Sequence, residues 1–244
     1  MKETIYGRNP VYETLRAERR QVYQLLLAEG LQDKSRLDEI LQHARRKNVP
    51  ILKVPRNRLD RLGDNHQGVA LEVGPYPYVN LADILERARD RNQPLFVLIL
   101  DTLQNPQNLG TLLRTAESVG VHGVIIPGHR AAEVTPAVVS ASAGASEHML
   151  VVQTNLAQAI SELKHLSTWV IGLDESPESL PPEQVRLDGP LALVVGSEGE
   201  GIRALVRKHC DLLLRLPMQG QVASLNAAVA GSVVLYLAYL ARLK

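Results

Sequence analysis

The sequence predicts an α/β protein in which a small mixed unit precedes a larger, mostly parallel, doubly wound sheet. Beyond residue 94, apolar runs recur at 95–100, 124–126, 150–153, 169–173, 191–195 and 212–216. Uninterrupted apolar runs mark strands buried on both faces, as in a parallel sheet covered by helices. Helical patterns at 109–119, 155–166, 202–209 and 224–242 fall between or after those runs, giving the alternation of a doubly wound fold. Before residue 75 the pattern is different: 10–18 and 34–48 read as helices and 22–28, 51–54 and 69–73 as strands, which makes a compact α/β unit.

Between the two, Gly74-Pro75-Tyr76-Pro77-Tyr78 carries two prolines and a glycine without periodicity, which marks a boundary. The expected organisation is a first domain over 1–74, a linker over 75–94 that includes a short amphipathic helix at 81–91, and a main domain over 95–244. A chain of 244 residues fits either one large α/β domain or a small domain joined to a larger one, and either can bury a core.

Hydrophobic residues make up 45% of the chain and charged residues 22%, ordinary for a globular protein and unlike a disordered one. Aromatic residues are only 4%, with Phe96 the single Phe, which excludes a surface that stacks bases on rows of aromatic rings. Cys210 has no internal disulfide partner and no Cys/His cluster has metal-ligand spacing, so a reducing cytoplasm and no metal are expected. Residues 1–10 lack the apolar core of a secretory signal. The apolar stretch 227–241 is too short for a bilayer span and contains Gly231 and Ser232, so it reads as a buried or subunit-interface helix and no membrane is expected. Net charge is +4 over residues 1–74 and −3 over the rest, a division that suits polyanion binding in the small unit and chemistry in the large one, and equally suits an ordinary solvated surface.

Ligands of doubly wound sheets sit beyond the carboxyl ends of strands, so loops that follow strands carry the functional information. The first, 101–115, holds Asn105-Pro106-Gln107-Asn108-Leu109-Gly110 and then Arg114; Asn108 is placed to cap the following helix, and Arg114 lies one turn after Gly110. The second, Gly196-Ser197-Glu198-Gly199-Glu200-Gly201, has neither dinucleotide nor P-loop spacing, because Ile202-Arg203 stands where Lys-Ser/Thr is required. Its glutamates would repel a phosphate yet accept from hydroxyls and favour a cation, so it suits S-adenosylmethionine, a sulfonium without phosphates, better than NAD or ATP. The third, 216–226, breaks at Pro217, turns at Gly220 and enters a helix with Ser224 and Asn226 in or near its first turn. Taken singly, each loop reads equally well as an ordinary capped helix start.

Together, Asn105-Pro106-Gln107-Asn108-Leu109-Gly110 with Arg114, the 195–202 loop, and Leu216-Pro217-Met218 with Gly220, Ser224, Leu225 and Asn226 resemble the three ordered motifs of the SpoU/TrmH class of RNA ribose 2′-O-methyltransferases over residues 95–244. The segments 5–12 and 66–71 resemble the small ribosomal-protein-like RNA-binding domain that precedes the catalytic domain in ribosomal RNA guanosine methyltransferases of this class. The resemblance implies a parallel sheet with a deep trefoil knot, an exception to unknotted topology, a homodimer through the catalytic domain, S-adenosylmethionine as cofactor, and a guanosine in 23S ribosomal RNA as target, with a transfer RNA ribose as the alternative. It further implies that Asn108, Arg114, Glu198, Ser224 and Asn226 are catalytic, that Gly196, Leu216, Met218, Ser224 and Leu225 hold the cofactor, and that Gly7, Arg8, Asn9 and Arg114 contact RNA. The basic groups Arg45, Arg46, Lys47, Arg56, Arg58 and Arg61 are further RNA-contact candidates or solvated faces. A guanidinium stays protonated at accessible pH, so Arg114 is expected to clamp a flanking phosphate and stabilise a developing alkoxide, the proton leaving to Ser224, a water or the phosphate. A non-catalytic RNA-binding protein of this fold is the other reading, and the intact polar set argues against it.

Overall fold

The computed structural model describes residues 2–31, 35–129, 131–221 and 224–243. The expected helix start at Lys34 and positions 222–223 of the third loop lie outside them. The chain divides into two compact units, Met1–Pro77 with Glu133–His148, and Tyr78–Ala132 with Met149–Lys244.

In the first unit, β1 (Glu3–Tyr6), α1 (Arg8–Ala17), β2 (Val22–Ala28), α2 (Ser35–Arg46), β3 (Ile51–Val54), α3 (Arg56–Asp60) and β4 (Val69–Val73) build a four-stranded sheet in the order β1-β4-β2-β3. β4 runs antiparallel to both β1 and β2, while β3 is parallel to β2. β2 and β4 form the centre because their side chains are the most apolar: Leu25, Val69, Ala70, Leu71 and Val73 are fully buried. β1 and α3 escaped the sequence pattern, since each is short and buries a single side chain, Ile5 and Leu59 respectively.

The second unit contains α4 (Leu81–Asp90), β5 (Phe96–Leu100), α5 (Pro106–Ser118), β6 (Gly123–Pro127), β7 (Val151–Thr154), α7 (Leu156–His165), β8 (Trp169–Leu173), β9 (Leu191–Val195), α8 (Ala204–His209), β10 (Leu212–Leu214) and α9 (Ala227–Arg242); α6 (Pro136–Ala141) lies between β6 and β7 in the chain. The six strands pair wholly parallel in the order β10-β8-β9-β5-β6-β7, as their continuous apolar character predicts. β5, β6 and β9 are buried at every position. On one face, Leu81 and Ile84 of α4, Ile160 and Leu163 of α7 and Val206 of α8 join Val97, Ile99 and Val194 in the main core. On the other, α9 crosses α5 closely because it carries Gly231 at the crossing: a Cβ there would stand 2.8 Å from Leu112 and 3.1 Å from Val195. The Thr115 and Ser232 hydroxyls bond across the same contact at 2.9 Å. Arg242 fixes the far end of α9, donating Nη2 to Gly189 O at 2.6 Å and lying over the Phe96 ring at 4.3 Å.

Two expectations about organisation need correction. The stretch 75–94 is not a free linker, because Tyr76 is buried in the first unit and α4 in the core of the second, so the chain passes between units at Pro77 and Tyr78. The main domain is not continuous over 95–244 either, since Glu133–His148, with α6 and a 3-10 turn at Ala145–His148, belongs to the first unit. A buried ion pair is among the contacts that tie this segment to the first unit. Arg20 donates Nε and Nη2 to the two Glu147 oxygens at 2.8 and 3.0 Å, with both side chains at most 1% exposed, while Tyr76 Oη donates to Ser146 O at 3.0 Å. A partner 127 residues away in the chain leaves no periodic trace.

Candidate functional site

The sheet reverses its direction of growth between β5 and β9: β6 and β7 extend it on one side, β8 and β10 on the other. At such a switch point the loops leaving adjacent strands part and open a crevice. The loops after β5 and β9 are those that carry the first two motifs.

After β5 the helix cap is Asn105, not Asn108: Asn105 Oδ1 accepts from Gln107 N at 2.9 Å, and Pro106 takes the first helical position, where a missing N–H costs nothing. Asn108 is thereby placed inside the first turn, 8% exposed, with its amide free for the site. After β10, Ser224 precedes the helix rather than lying in it, and α9 begins at Ala227 with Asn226 as its cap. Asn226 Oδ1 accepts from Ala228 N at 2.9 Å and Val229 N at 3.1 Å. That fixes the orientation of the amide, so Nδ2 is the atom that faces the site. It donates to Asn108 Oδ1 at 3.2 Å and to Glu198 Oε1. One amide therefore joins all three motif segments.

Around this junction lie two cavities. The first, about 300 Å³, is lined by Gly196, Glu198, Leu216, Met218, Ser224 and Leu225, which are expected site residues, and also by Asp174, Glu175 and Glu200. Four carboxylates and no Lys or Arg face it among the described residues, so it favours a ligand with positive charge and hydroxyl or amine donors over a phosphate ester. Gly196 is required for its wall: a Cβ there would overlap the backbone of Gly201 and Ile202. The loop closes on itself through Ser197 N to Gly201 O at 3.0 Å and the reciprocal bond at 3.1 Å. The second cavity, about 480 Å³, is lined by Asn108, Asn105, Gln104, Glu198, Glu200 and Arg203 among others.

Arg114 does not join this cluster. It lies on the exposed face of α5, lines neither cavity, and makes no ion pair or hydrogen bond among the described residues. The reason is helical phase: Leu112, Leu113 and Ala116 turn toward the core, which points position 114 outward. Four site residues were not singled out from sequence. Asp174 and Glu175 follow β8, whose loop shows no motif. Asp101, fully buried at the end of β5, accepts from Arg203 N at 2.8 Å and Arg203 Nε at 2.7 Å, tying the β9 loop to β5. An aspartate directly after a buried strand was the available signal.

In the first unit, Gly7 adopts φ +93°, where a side chain would be strained, and its N–H donates to Val69 O at 3.1 Å. Arg8 N donates to Gln67 Oε1 at 3.0 Å, which sets Gly7, Arg8 and exposed Asn9 at the start of α1 beside the 63–68 loop. Arg56, Arg58 and Arg61, which precede that loop, are exposed. Arg45 and Arg46 are exposed too, but Lys47 pairs with Glu18.

Known proteins agree with both units. Residues 95–236 match the SpoU rRNA Methylase family and residues 4–79 match the family described as RNA 2′-O ribose methyltransferase substrate binding. A Bacillus subtilis (strain 168) protein, YacO, whose name places it in the TrmH family of tRNA/rRNA methyltransferases, is 43% identical over 240 residues, 96% of this chain and 94% of that one. The fold is that of the SpoU methyltransferase AviRb from Streptomyces viridochromogenes, solved with its cofactor AdoMet, at a TM-score of 0.83 and 23% identity over 100% of this chain and 91% of that one. A solved RNA 2′-O ribose methyltransferase aligns at a TM-score of 0.78 and 25% identity, covering 100% and 90%. With its three motif segments joined at Asn226 and more than half its length matched, the chain belongs to the SpoU family of RNA methyltransferases.

Proposed function

We propose that this protein transfers a methyl group from S-adenosylmethionine to the ribose 2′-hydroxyl of a guanosine in 23S ribosomal RNA. The observation that carries the reading is the Asn226 amide, which caps α9 with one atom and with the other holds Asn108, in the wall of the second cavity, to Glu198, which also lines the carboxylate-rich first one. The acidic lining of Asp174, Glu175, Glu198 and Glu200 fits a cofactor that bears a sulfonium, an ammonium and ribose hydroxyls. S-adenosylmethionine, when bound, supplies an activated methyl group; the protein's part is positioning and proton removal.

Backbone groups around Gly196, Leu216 and Leu225, with the Met218 side chain, hold the cofactor. Asn108, Glu198 and Asn226 orient the target ribose, and Ser224, exposed at the cavity wall, accepts a hydrogen bond from the 2′-hydroxyl, whose proton leaves to a water or to the flanking phosphate. Arg114 lies outside both cavities of its own chain, so a role in the reaction requires a second copy. α9 turns Val229, Val233, Tyr236 and Leu240 to solvent in one stripe, continued by its C-cap Leu243, at helical spacing, and a homodimer through this face of the catalytic unit buries it. Gly7, Arg8 and Asn9 contact RNA from the first unit, which carries the ribosomal-protein-like fold, and the segment from β10 into α9 forms the trefoil knot. Supporting the RNA target are the family matches of both units. The cytoplasm, where ribosomal RNA is made and Cys210 stays a thiol, is its place of action.

The test is to incubate the purified protein with radiolabelled S-adenosylmethionine and either unmodified 23S ribosomal RNA or bulk transfer RNA, then map the labelled nucleotide. Label on a 2′-O-methylguanosine of the ribosomal RNA supports the proposal, and label confined to transfer RNA or to a base overturns it.

A further inference from the structure

The second cavity contains a cation that no sequence motif assigned. Arg203 Nε and Nη2 both reach Asp101 Oδ1 at 2.7 Å, and the backbone N–H of Arg203 donates to Asp101 Oδ2 at 2.8 Å. The carboxylate is fully buried, whereas the arginine side chain is 47% exposed. A guanidinium carries five N–H donors in a fixed plane. With Nε and Nη2 committed to Asp101, the plane is locked, and Nη1, which has no partner among the described residues, is left to the cavity lined by Asn108, Glu198 and Glu200.

We propose that Arg203 is a nucleoside-contacting residue whose guanidinium, held rigid by Asp101 as a positioning residue, grips the base of the target nucleotide beside Asn108. The assignment rests on the RNA-methyltransferase reading above. A base is favoured over a phosphate by charge. Two glutamates and one arginine line the cavity, which leaves it net negative before the buried Asp101 is counted. A phosphate entering there meets repulsion, while a neutral base offers ring acceptors to Nη1 and amino or imino donors to the carboxylate of Glu200. The locked plane also provides a flat cationic face for stacking, which this chain's scarce aromatics do not.

The experiment compares wild type with Arg203→Lys, which keeps the charge but cannot fork, and with a double variant, Asp101→Asn with Arg203→Gln, which leaves no buried ion unpaired. Three quantities are measured for each: kcat/KM with an unmodified 23S ribosomal RNA transcript, the Kd of S-adenosylmethionine by calorimetry, and the salt dependence of RNA binding. Expected is a fall in kcat/KM of about tenfold or more, cofactor affinity within about twofold, and an unchanged slope of log affinity against log salt. A slope smaller by about 0.7 to 0.9 would mean a phosphate contact instead, and parallel loss of cofactor affinity would mean a mere latch for the loop; either result, like an unchanged kcat/KM, overturns the assignment. Wild-type protein that methylates no RNA would remove the functional reading itself, whereas active wild type matched by Arg203→Lys removes only the role of Arg203.

Discussion

Asn226 performs two tasks with two atoms, and replacing it by aspartate separates them. Oδ1 caps α9 through the N–H groups of Ala228 and Val229 at 2.9 and 3.1 Å. Aspartate caps as well as asparagine, so in Asn226→Asp the cap itself accounts for less than about 1 kcal/mol of any change in folding stability. Its second oxygen, however, replaces Nδ2 and faces two acceptors, Glu198 Oε1 and Asn108 Oδ1. A hydrogen bond to a charged group contributes about 1.5–3 kcal/mol, and here the loss is joined by repulsion between neighbouring carboxylates. Turnover should therefore fall by about 10- to 150-fold or more. Two close carboxylates share a proton more readily than either holds one alone, so the variant should regain part of its activity as pH is lowered, unlike Asn226→Ser, which keeps a cap but has no second carboxylate. Filter-binding of radiolabelled methyl groups gives the rate, and thermal melting gives the fold. Wild-type turnover in Asn226→Asp, or a loss that merely tracks a collapse in Tm, would refute the bridging role.

Mixing tests the proposed origin of Arg114: Arg114→Ala and Glu198→Gln variants, each inactive alone, should together recover about a quarter of wild-type activity after subunit exchange, because half the dimers then hold one intact site. No recovery would place Arg114 in its own chain's chemistry or outside it. Glu147→Gln takes the bidentate partner from buried Arg20 and leaves it Glu3 at 2.6 Å; it should destabilise the first unit by about 1.5–3 kcal/mol, read as a lower urea midpoint, and an unchanged midpoint would show that the pair does not hold 133–148 in place. Burial, with repulsion from Arg91 and Arg242, pushes His122 down to about 4. Its unfolded counterpart titrates near 6.5, so its contribution is complete above about pH 6.5 and is lost as pH falls toward 4, by at most about 3 kcal/mol. Denaturant midpoints across that window should drop in wild type and less in His122→Asn, and parallel profiles would dismiss the histidine.

What the sequence disclosed follows from the range of each interaction. Strands β8 and β9 coincide with the apolar runs 169–173 and 191–195, because burial on both faces keeps the middle of β8 and all of β9 apolar. Helix starts were legible only to within two or three residues: Asn105 and Asn108, or Ser224 and Asn226, are all competent caps, and the choice falls to whichever the preceding strand end places in extended backbone. Arg114 illustrates a different limit. Its motif marks it as functional, but only the phase of α5 against β9 and α9 reveals that it faces away from its own chain's cavities. Arg20 with Glu147 and Asp101 with Arg203, separated by 127 and 102 residues, have no local signature at all.

The loop after β9 forms a common wall, since Glu198 and Glu200 line both cavities. Its two ends are held by different parts of the fold: Glu198 by Asn226 at the start of α9, and Arg203 by Asp101 at the end of β5. Between these anchors the backbone passes through Gly199 and Gly201 at φ +87° and +67°, conformations that glycine adopts without strain. A ligand that displaces the loop in one cavity must therefore move the wall of the other. On the proposed assignment of methyl donor to the first cavity and target nucleoside to the second, a change that one ligand makes in the other's affinity through this segment is matched by an equal change in return.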